Sequence, residues 1–487
     1  VIKKDIVIIG TGFSGMGAAM KLRDSGREDF VVLEKAHDVG GTWRDNTYPG
    51  CECDIPSHMY SFSYELNNDW SKSFSGQAEI WAYMRKVADE KGIRPYITFG
   101  VEVTGASWDD QRKVWTVKTN GEDYEARVVI AGVGGLHIPN VPEIKGADSF
   151  EGPKFHSAGW DHTVDLKDKK VVVIGTGASA IQFIPIIAQE TGHLTVFQRT
   201  PAWVLPKKDK PTPEWRKKVF AKVPGATRAY RNALYWALEA RAIGFNGHVK
   251  ILPVAEKIVK RYLAKKIPDP ELRAKLTPDY RLGCKRVLQS NTYYPTFLRD
   301  DVTLNTDGVA EIVNDGVIDA NGVKHEADII IYGTGFHVID AFDYLDVKGK
   351  DGVNLADQFR EHGTETYMGM TIHGFPNLYF MLGPNTALGH NSVVFMIEQQ
   401  TKYIVKMLDE MDKRGAVSAN ATLPAQTEFN KEIQKLVEKG IWTQGGCTSW
   451  YLDSHGKNRT IWPKFTFQYW WETRKVEAKD FEWEKAA

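Results

Sequence analysis

Cysteine, net charge and long apolar runs are all scarce in this chain of 487 residues. Four cysteines, Cys51, Cys53, Cys284 and Cys447, are too few and too unevenly spaced for a disulfide framework, so they are expected to stay thiols in a reducing compartment. Cys51 and Cys53 form a Cys-x-Cys pair without a second Cys or His pair at zinc-finger spacing, so no metal site is expected. Lys plus Arg equals Asp plus Glu, 62 against 62, which removes the broad electrostatic surface of a nucleic-acid or anionic-membrane binder. No apolar run approaches the roughly 18 residues that span a bilayer. Lys3, Lys4 and Asp5 lead straight into a short strand, and a soluble, cytoplasmic protein is expected. Tandem repeats and low-complexity tracts are also missing.

What remains is an ordinary globular composition, 42% hydrophobic and 25% charged, on a chain long enough for two or three domains. Ile6 to Gly10 is a continuous apolar run ending in glycine, as a buried parallel strand requires; Met16 to Ser25 reads as a helix and Phe30 to Glu34 as a second strand. The same order returns at Lys170 to Gly175, a helix after Ala178, and Leu194 to Phe197. Between Pro211 and Tyr280 the strand pattern gives way to helical spacing, as in Tyr235 to Ala242 and Ala255 to Leu263. Strand signals resume at Val302 to Leu304 and at Asp328 to Tyr332, which ends in Gly333-Thr334-Gly335-Phe336. The fold class is therefore α/β, with two Rossmann-like three-layer dinucleotide-binding domains and a helical insertion.

Gly10-x-Gly12-x-x-Gly15 lies at a strand-to-helix switch, where glycines permit a tight bend and close approach of the backbone to a pyrophosphate. From 43 glycines this spacing arises by chance roughly 0.3 times, so its context decides. Glu34 closes the next strand 24 residues after Gly10, where a carboxylate accepts hydrogen bonds from a ribose; FAD or NAD fits. The second turn, Gly175-Thr176-Gly177-x-Ser179-Ala180, is followed by a strand running into Gln198-Arg199-Thr200, with no acid. A carboxylate repels a 2′-phosphate and a guanidinium binds it, so Arg199 points to NADP, the alternative being a solvated surface charge. One site of each kind implies hydride transfer between two cofactors.

Between these units stands Phe150-x-Gly152-x-x-x-His156-x-x-x-Trp160-Asp161, whose first four fixed residues coincide by chance roughly 0.002 times in this composition. It is similar to the fingerprint of the type I Baeyer-Villiger monooxygenases and directly precedes the second unit, as in that family. Gly40-Gly41-x-Trp43 through Tyr48-Pro49-Gly50 to Asp54 is a second family pattern, and the resemblance spans nearly the whole chain. Ala180 departs from a more usual glycine. Gly383-Pro384-Asn385 with Gly389-His390-Asn391-Ser392 looks nearer the hydroxyacetophenone-type branch.

The resemblance implies a division of the chain: FAD-binding domain, first part, at 1–150; NADP-binding domain, first part, at 151–212; helical insertion at 213–281; NADP-binding domain, second part, at 282–330; FAD-binding domain, second part, with a C-terminal segment at 331–487. It places Gly41, Thr42, Trp43, Asp54, Tyr60 and Val103 beside FAD, and Thr176, Ser179, Gln182, Thr200, Lys285 and Trp450 beside NADP. Ser449-Trp450-Tyr451 and Lys457 resemble a mobile C-terminal segment that contacts NADP. Arg286 is implied as the catalytic cation, stabilising a deprotonated peroxyflavin with NADP⁺ still bound, and Asp54 as the carboxylate fixing it.

Local reading keeps alternatives open. The Lys285-Arg286 pair reads by itself as surface charge, Asp54 as a turn residue before Pro56, Trp43 and Tyr60 as core aromatics. His156, at a domain junction, is read as a hinge rather than a base, or as a plain interior histidine. Ser392 reads as the N-cap of a helix from Val393 to Gln400, whose positive end faces either the reduced flavin or nothing in particular.

The expected activity is insertion of one oxygen atom from O2 beside a ketone carbonyl, giving an ester or lactone, with thioether oxidation by the same route. The partners are a small-molecule ketone or thioether and O2, with no nucleic acid and no membrane span, in a monomer or homodimer. Two alternatives stand: an N- and S-oxidising flavin-containing monooxygenase, and a non-enzymatic nucleotide-binding regulator. A disulfide reductase is set aside because Cys51 and Cys53 are not a redox Cys-x-x-Cys.

Overall fold

The computed structural model describes residues 1–245, 252–338 and 340–486. Residues 246–251 of the insertion read at 213–281, and residues 339 and 487 of the last segment, lie outside the described residues.

Two sheets organise the molecule. In the first, Ile2–Ile9 runs parallel between Tyr124–Ala131 and Phe30–Glu34, with Ile97–Phe99 beyond the latter. On the other side, Val114–Thr119 and Val103–Asp109 continue antiparallel, Asp346–Lys348 forms the edge, and Leu378–Phe380 joins Tyr124–Ala131. Ile6 to Ile9 are buried on both faces, which is why they form an unbroken apolar run. Side chains alternate: Ile6 and Ile8 face a core shared with the helix Phe13–Asp24, while Val7 and Ile9 face one containing Trp108, Trp115 and Phe375. The long helix Val393–Arg414 packs on Phe13–Asp24, and a Cβ on Gly17 would lie 3.3 Å from Ile397.

The second sheet is all parallel, in the order Val302–Asn305, His193–Phe197, Lys170–Ile174, Ile329–Tyr332, Lys154–His156. Val171 and Val173 pack under the helix Ala180–Ile187; Val172 and Ile174 face Phe150, Ile312 and Val317, the latter two from the antiparallel strands Val309–Val313 and Gly316–Asp319. The strand Ile329–Tyr332 straddles the boundary drawn at 330.

The chain crosses between the sheets at two places that pair with each other. Ile138–Pro139 lies antiparallel to Phe336–His337, Asn140 N donates to Gly335 O (2.9 Å), and the Thr334 hydroxyl donates to Asn140 O. The segment after the second sheet's His193–Phe197 carries the helices Glu214–Lys222, Ala226–Glu239, Ala242–Phe245, Leu252–Lys266 and Pro270–Lys275. Glu239 anchors these helices: its buried carboxylate accepts from Asn391 Nδ2 (2.7 Å) and from the Thr466 hydroxyl (2.8 Å).

One expectation is overturned. Cys284 and Cys447, 163 residues apart in sequence, form a disulfide, while Cys51 and Cys53 remain thiols. Cysteine number and spacing carried no sign of this, because the bond depends on the tertiary fold bringing two distant segments together. Cysteine usage therefore no longer points to a reducing compartment. Among the described residues, no helix is long and apolar enough to cross a membrane.

Candidate functional site

The first turn is shaped by close backbone approach. Gly10 has φ +90°, and a Cβ there would lie 2.9 Å from Gly132 O; a Cβ on Gly15 would lie 1.8 Å from Gly10 O. Both positions therefore require glycine. Gly12 caps the helix Phe13–Asp24 with no side-chain hydrogen bond, which leaves the helix N-terminus to an anionic ligand. A Cβ on Gly41, at φ +50°, would come within 3.0 Å of Gly12 Cα, so the Gly41-Thr42 turn packs directly on this loop.

Glu34 is buried behind the turn and accepts from Thr11 N (2.9 Å), the Thr11 hydroxyl (2.6 Å) and Ala36 N (2.9 Å), with Arg44 at 3.0 Å. Burial pushes its pKa up, but the hydrogen bonds from Thr11 and Ala36 and the Arg44 charge outweigh this and hold it below the usual carboxylate range. Trp43 donates its indole N–H to the Tyr60 hydroxyl (3.1 Å), and the Tyr60 ring meets Phe13 edge-on at 5.3 Å. Val103, half-buried, packs on the core that contains Ile9 and Leu33.

The second turn follows the same plan with different tolerances. Gly175 has φ +107°, and a Cβ there would lie 2.4 Å from Gly333 O. At the third position Ala180 is fully buried, facing Gly333, whose missing side chain supplies the room: a Cβ on Gly333 would lie 3.0 Å from Ala180 Cβ. This accounts for the departure from glycine. Thr176 is buried, Gly177 exposed and Ser179 half-buried at the start of the helix.

Arg199 is exposed at the end of its strand, next to half-buried Thr200. It lies close enough to Lys285 to act on it: burial and then the Arg199 charge hold Lys285 below the usual lysine range. Lys285 Nζ lies 5.2 Å from the Tyr280 ring. Two cations from separate segments, Arg199 and Lys285, thus lie within electrostatic range of each other.

Asp54 and Arg286 meet across the two units. Arg286 Nε donates to one carboxylate oxygen (2.9 Å) and Nη2 to the other (2.8 Å), a bidentate fork that fixes the guanidinium plane. The Asp54 charge, against the opposing effect of burial, raises the Arg286 pKa above its ordinary value, so the group stays cationic.

Sequence reasoning missed how the Asp54 segment is held. Gln182, read as a nucleotide ligand, instead has its amide engaged by the first unit: Nε2 donates to Glu52 O (2.9 Å), and Oε1 accepts from the Tyr48 hydroxyl (2.9 Å). Lys207, 5% exposed on its side chain, donates to Glu52 Oε1 (2.5 Å) and to Cys53 O (3.1 Å). Lys72 also pairs with Glu52, at 2.5 Å. Gln182, Lys207 and Arg286 therefore grip residues 52–54 from the other side of the seam. Local pattern carried no signal for Lys207, which stands among Lys208 and Lys210 like a surface charge.

The fingerprint residues collect at the chain crossings. Phe150 is buried, and a Cβ on Gly152 would strike Asp328 O at 2.2 Å. His156 ends the strand paired with Tyr332, accepts from Ala158 N through Nδ1 (3.1 Å) and meets Phe336 edge-on at 5.7 Å. Burial, partly countered by the Gly335 carbonyl, lowers its pKa to about 4, so the ring is neutral near pH 7. Trp160 packs between Phe155 (5.3 Å) and Phe183 (5.2 Å). Ser392 caps Val393–Arg414, accepting from Val394 N at 3.3 Å. Trp450 is 43% exposed beside buried Tyr451, and Lys457 is exposed in a turn closed by Asp453.

Residues 7–218 match the family described as pyridine nucleotide-disulphide oxidoreductase. The chain is 43% identical over 478 residues to a Baeyer-Villiger monooxygenase of Pseudomonas aeruginosa, covering 98% of this chain and 90% of the relative. It is 44% identical to one of Streptomyces coelicolor, covering 98% and 92%. Among solved structures, cyclohexanone monooxygenase from Rhodococcus sp. Phi1 bound to NADP⁺ superposes over all of both chains with a TM-score of 0.88 at 28% identity. OTEMO in complex with FAD and NADP superposes over 99% of both chains with a TM-score of 0.89 at 27% identity. With its two glycine turns, the intervening fingerprint and full-length similarity to these enzymes, the chain belongs to the type I Baeyer-Villiger monooxygenases.

Proposed function

We propose that this protein is an FAD- and NADPH-dependent monooxygenase that inserts one oxygen atom from O2 beside a ketone carbonyl, giving an ester or lactone. A flavin held here would supply hydride acceptance from the nicotinamide and the activation of O2. The first turn fits FAD: its glycines allow pyrophosphate to approach the N-terminus of Phe13–Asp24, and Glu34 offers a charged acceptor for ribose. The second turn fits NADP, with Arg199 and Lys285 as cations for the 2′-phosphate. In this reading residues 1–150 and 331–487 form the FAD-binding domain and 151–212 with 282–330 the NADP-binding domain.

The chain's own contribution to the chemistry centres on Arg286. Held flat by Asp54, it meets negative charge as it develops on oxygen, both before and after attack on the carbonyl, without reorganising. Gln182 and Lys207 keep Asp54 in register with the second unit, so cofactor placement and guanidinium placement are coupled. The Asp54–Arg286 fork is the observation that carries the proposal. His156 acts as a hinge element: it sits where the two crossing segments pair, its Nδ1 is engaged by Ala158 N, and its lowered pKa makes it a weak base.

The same oxygen-transfer chemistry oxidises thioethers. The motifs Gly383-Pro384-Asn385 and Gly389-His390-Asn391-Ser392 support a reading nearer the hydroxyacetophenone-type branch. A cytoplasmic setting, where NADPH is regenerated, completes the reading. Arg286→Ala is expected to leave reduction of the flavin by NADPH largely intact and to abolish ester formation, measured by stopped-flow absorbance and product mass. Ester formation at the wild-type rate would overturn the assignment.

A further inference from the structure

The Cys284–Cys447 disulfide lies where none of the chemistry above uses it. Cys284 immediately precedes Lys285 and Arg286, and is fully buried in a cluster with Trp203, Tyr280 and Leu282. Cys447 is half-buried between exposed Gly446 and Thr448, three residues before Trp450. The bond is therefore a covalent link from the segment bearing the site's cations to the C-terminal segment bearing Trp450 and Tyr451.

The two segments also touch directly. Arg281 N donates to Gly445 O (3.0 Å), and a Cβ on Gly445 would lie 2.4 Å from Cys284 Cβ. Tyr451 is 1% exposed and close enough to Arg286 and Asp54 to interact with both electrostatically. Between Gly445 and Tyr451 the hydrogen bonds to Ser449, from Tyr451 N and Leu452 N, are internal to the segment and do not tie it to Lys285. The disulfide is the covalent restraint on this stretch, which is otherwise held by the Arg281–Gly445 hydrogen bond at one end and, at the other, by burial of Tyr451 among Ile441, Trp442 and Ile461 and a hydrogen bond from Thr460 to its carbonyl.

We propose that Cys284–Cys447 is a thiol-exchange site for a dithiol reductant, and that its state sets how firmly the C-terminal segment holds bound NADP⁺; the second part rests on the NADP reading of the second unit. The reductant's thiolate attacks Cys447 Sγ, the more accessible sulfur. The Sγ–Sγ bond breaks, and Cys284 leaves as a thiolate and takes a proton. The reductant's second thiol then closes on its own sulfur in the mixed disulfide and releases Cys447, so the protein gains two electrons and two protons and the dithiol becomes a cyclic disulfide. An oxidised dithiol runs the sequence in reverse. The other two cysteines stay outside this exchange: burial pushes the Cys51 pKa up to about 11 and that of Cys53 higher still, so neither is a thiolate near pH 7.

The test uses the FAD-loaded protein. Under denaturing, non-reducing conditions, two free thiols are expected, and four after dithiothreitol; four without reductant would overturn the proposal. Calorimetric titration with NADP⁺ is expected to show a Kd about tenfold higher after reduction, restored by oxidised dithiothreitol, because a preorganised segment becomes loose. Cys447→Ser is expected to show the weaker Kd whether or not reductant is present. An unchanged Kd after full reduction would overturn the latch. Should NADP⁺ fail to bind in either state, the NADP reading falls instead. Tryptic cleavage after Lys457 then decides the latch alone: faster cleavage after reduction supports it, and equal rates contradict it.

Discussion

The two glycine turns are built on one plan and differ where their proposed ligands differ. Each is backed by a glycine from the end of a neighbouring strand, Gly132 behind Gly10 and Gly333 behind Gly175, and each of those glycines leads toward a crossing segment. The first turn is closed tightly: its third glycine faces the Gly10 carbonyl, and behind it a buried carboxylate is held by four donors from Thr11, Ala36 and Arg44. The second is as tight at its first glycine but admits alanine in the third position, and it is cationic, with Arg199 close enough to Lys285 for its charge to lower the lysine's pKa. A cofactor that stays bound suits the first arrangement, and a coenzyme that arrives carrying an extra phosphate suits the second.

Substitution at the third position of each turn breaks this comparison most sharply. Gly15→Ala forces a Cβ onto Gly10 O, and we expect loss of flavin from the purified protein and destabilisation of about 3 kcal/mol in denaturant unfolding. Next in size is the acid response of His156, the proposed hinge. Because the pKa of His156 in the folded chain is about 4 against 6.5 unperturbed, the unfolded state binds the extra proton between those values. Its contribution to stability is fully present above 6.5 and is lost as pH falls toward 4, on the order of 3 kcal/mol in all. His156→Asn should flatten that part of the stability–pH curve, and an unchanged slope would show that the ring titrates normally.

Arg199→Ala should lower the preference for NADPH over NADH by about 10- to 100-fold in kcat/KM. Lys285 sharpens the same point. Its pKa is held down, so it loses its charge earlier on alkaline titration, and KM for NADPH should rise with pH while KM for NADH stays level. The smallest effect belongs to Ala180→Gly, expected to cost about 1 kcal/mol in stability with NADP⁺ affinity kept, in contrast to Gly15→Ala.

Much of this contrast was legible from the chain alone because it is local. Glycine spacing, Glu34, Arg199 and the Ser392 cap each depend on residues within one strand-turn-helix unit. Element ends were less legible: the first strand begins at Ile2 rather than Ile6 because Ile2 to Lys4 pair with Tyr124 to Ala126, a register set by another strand. The helix after Ser392 continues past Gln400 to Arg414, with Ile404, Met407, Leu408 and Met411 buried at helical spacing, a pattern that the shorter reading left unused. The seam was illegible for a different reason. Gln182 reaching Glu52, Lys207 reaching Cys53 and Cys284 bonding Cys447 are pairings across 130 to 163 residues, and nothing in local sequence selects such partners. These contacts nonetheless decide where Asp54 and Arg286 stand.

The claim on which the rest depends is that the two turns hold different nucleotides, with the second selecting its own by the 2′-phosphate. Comparing the rates at which NADPH and NADH, each well below saturation, bleach the flavin absorbance of the wild-type enzyme tests it directly. The account predicts NADPH faster by about 100-fold, equivalent to roughly 2.7 kcal/mol of phosphate recognition; equal rates for the two coenzymes would contradict it.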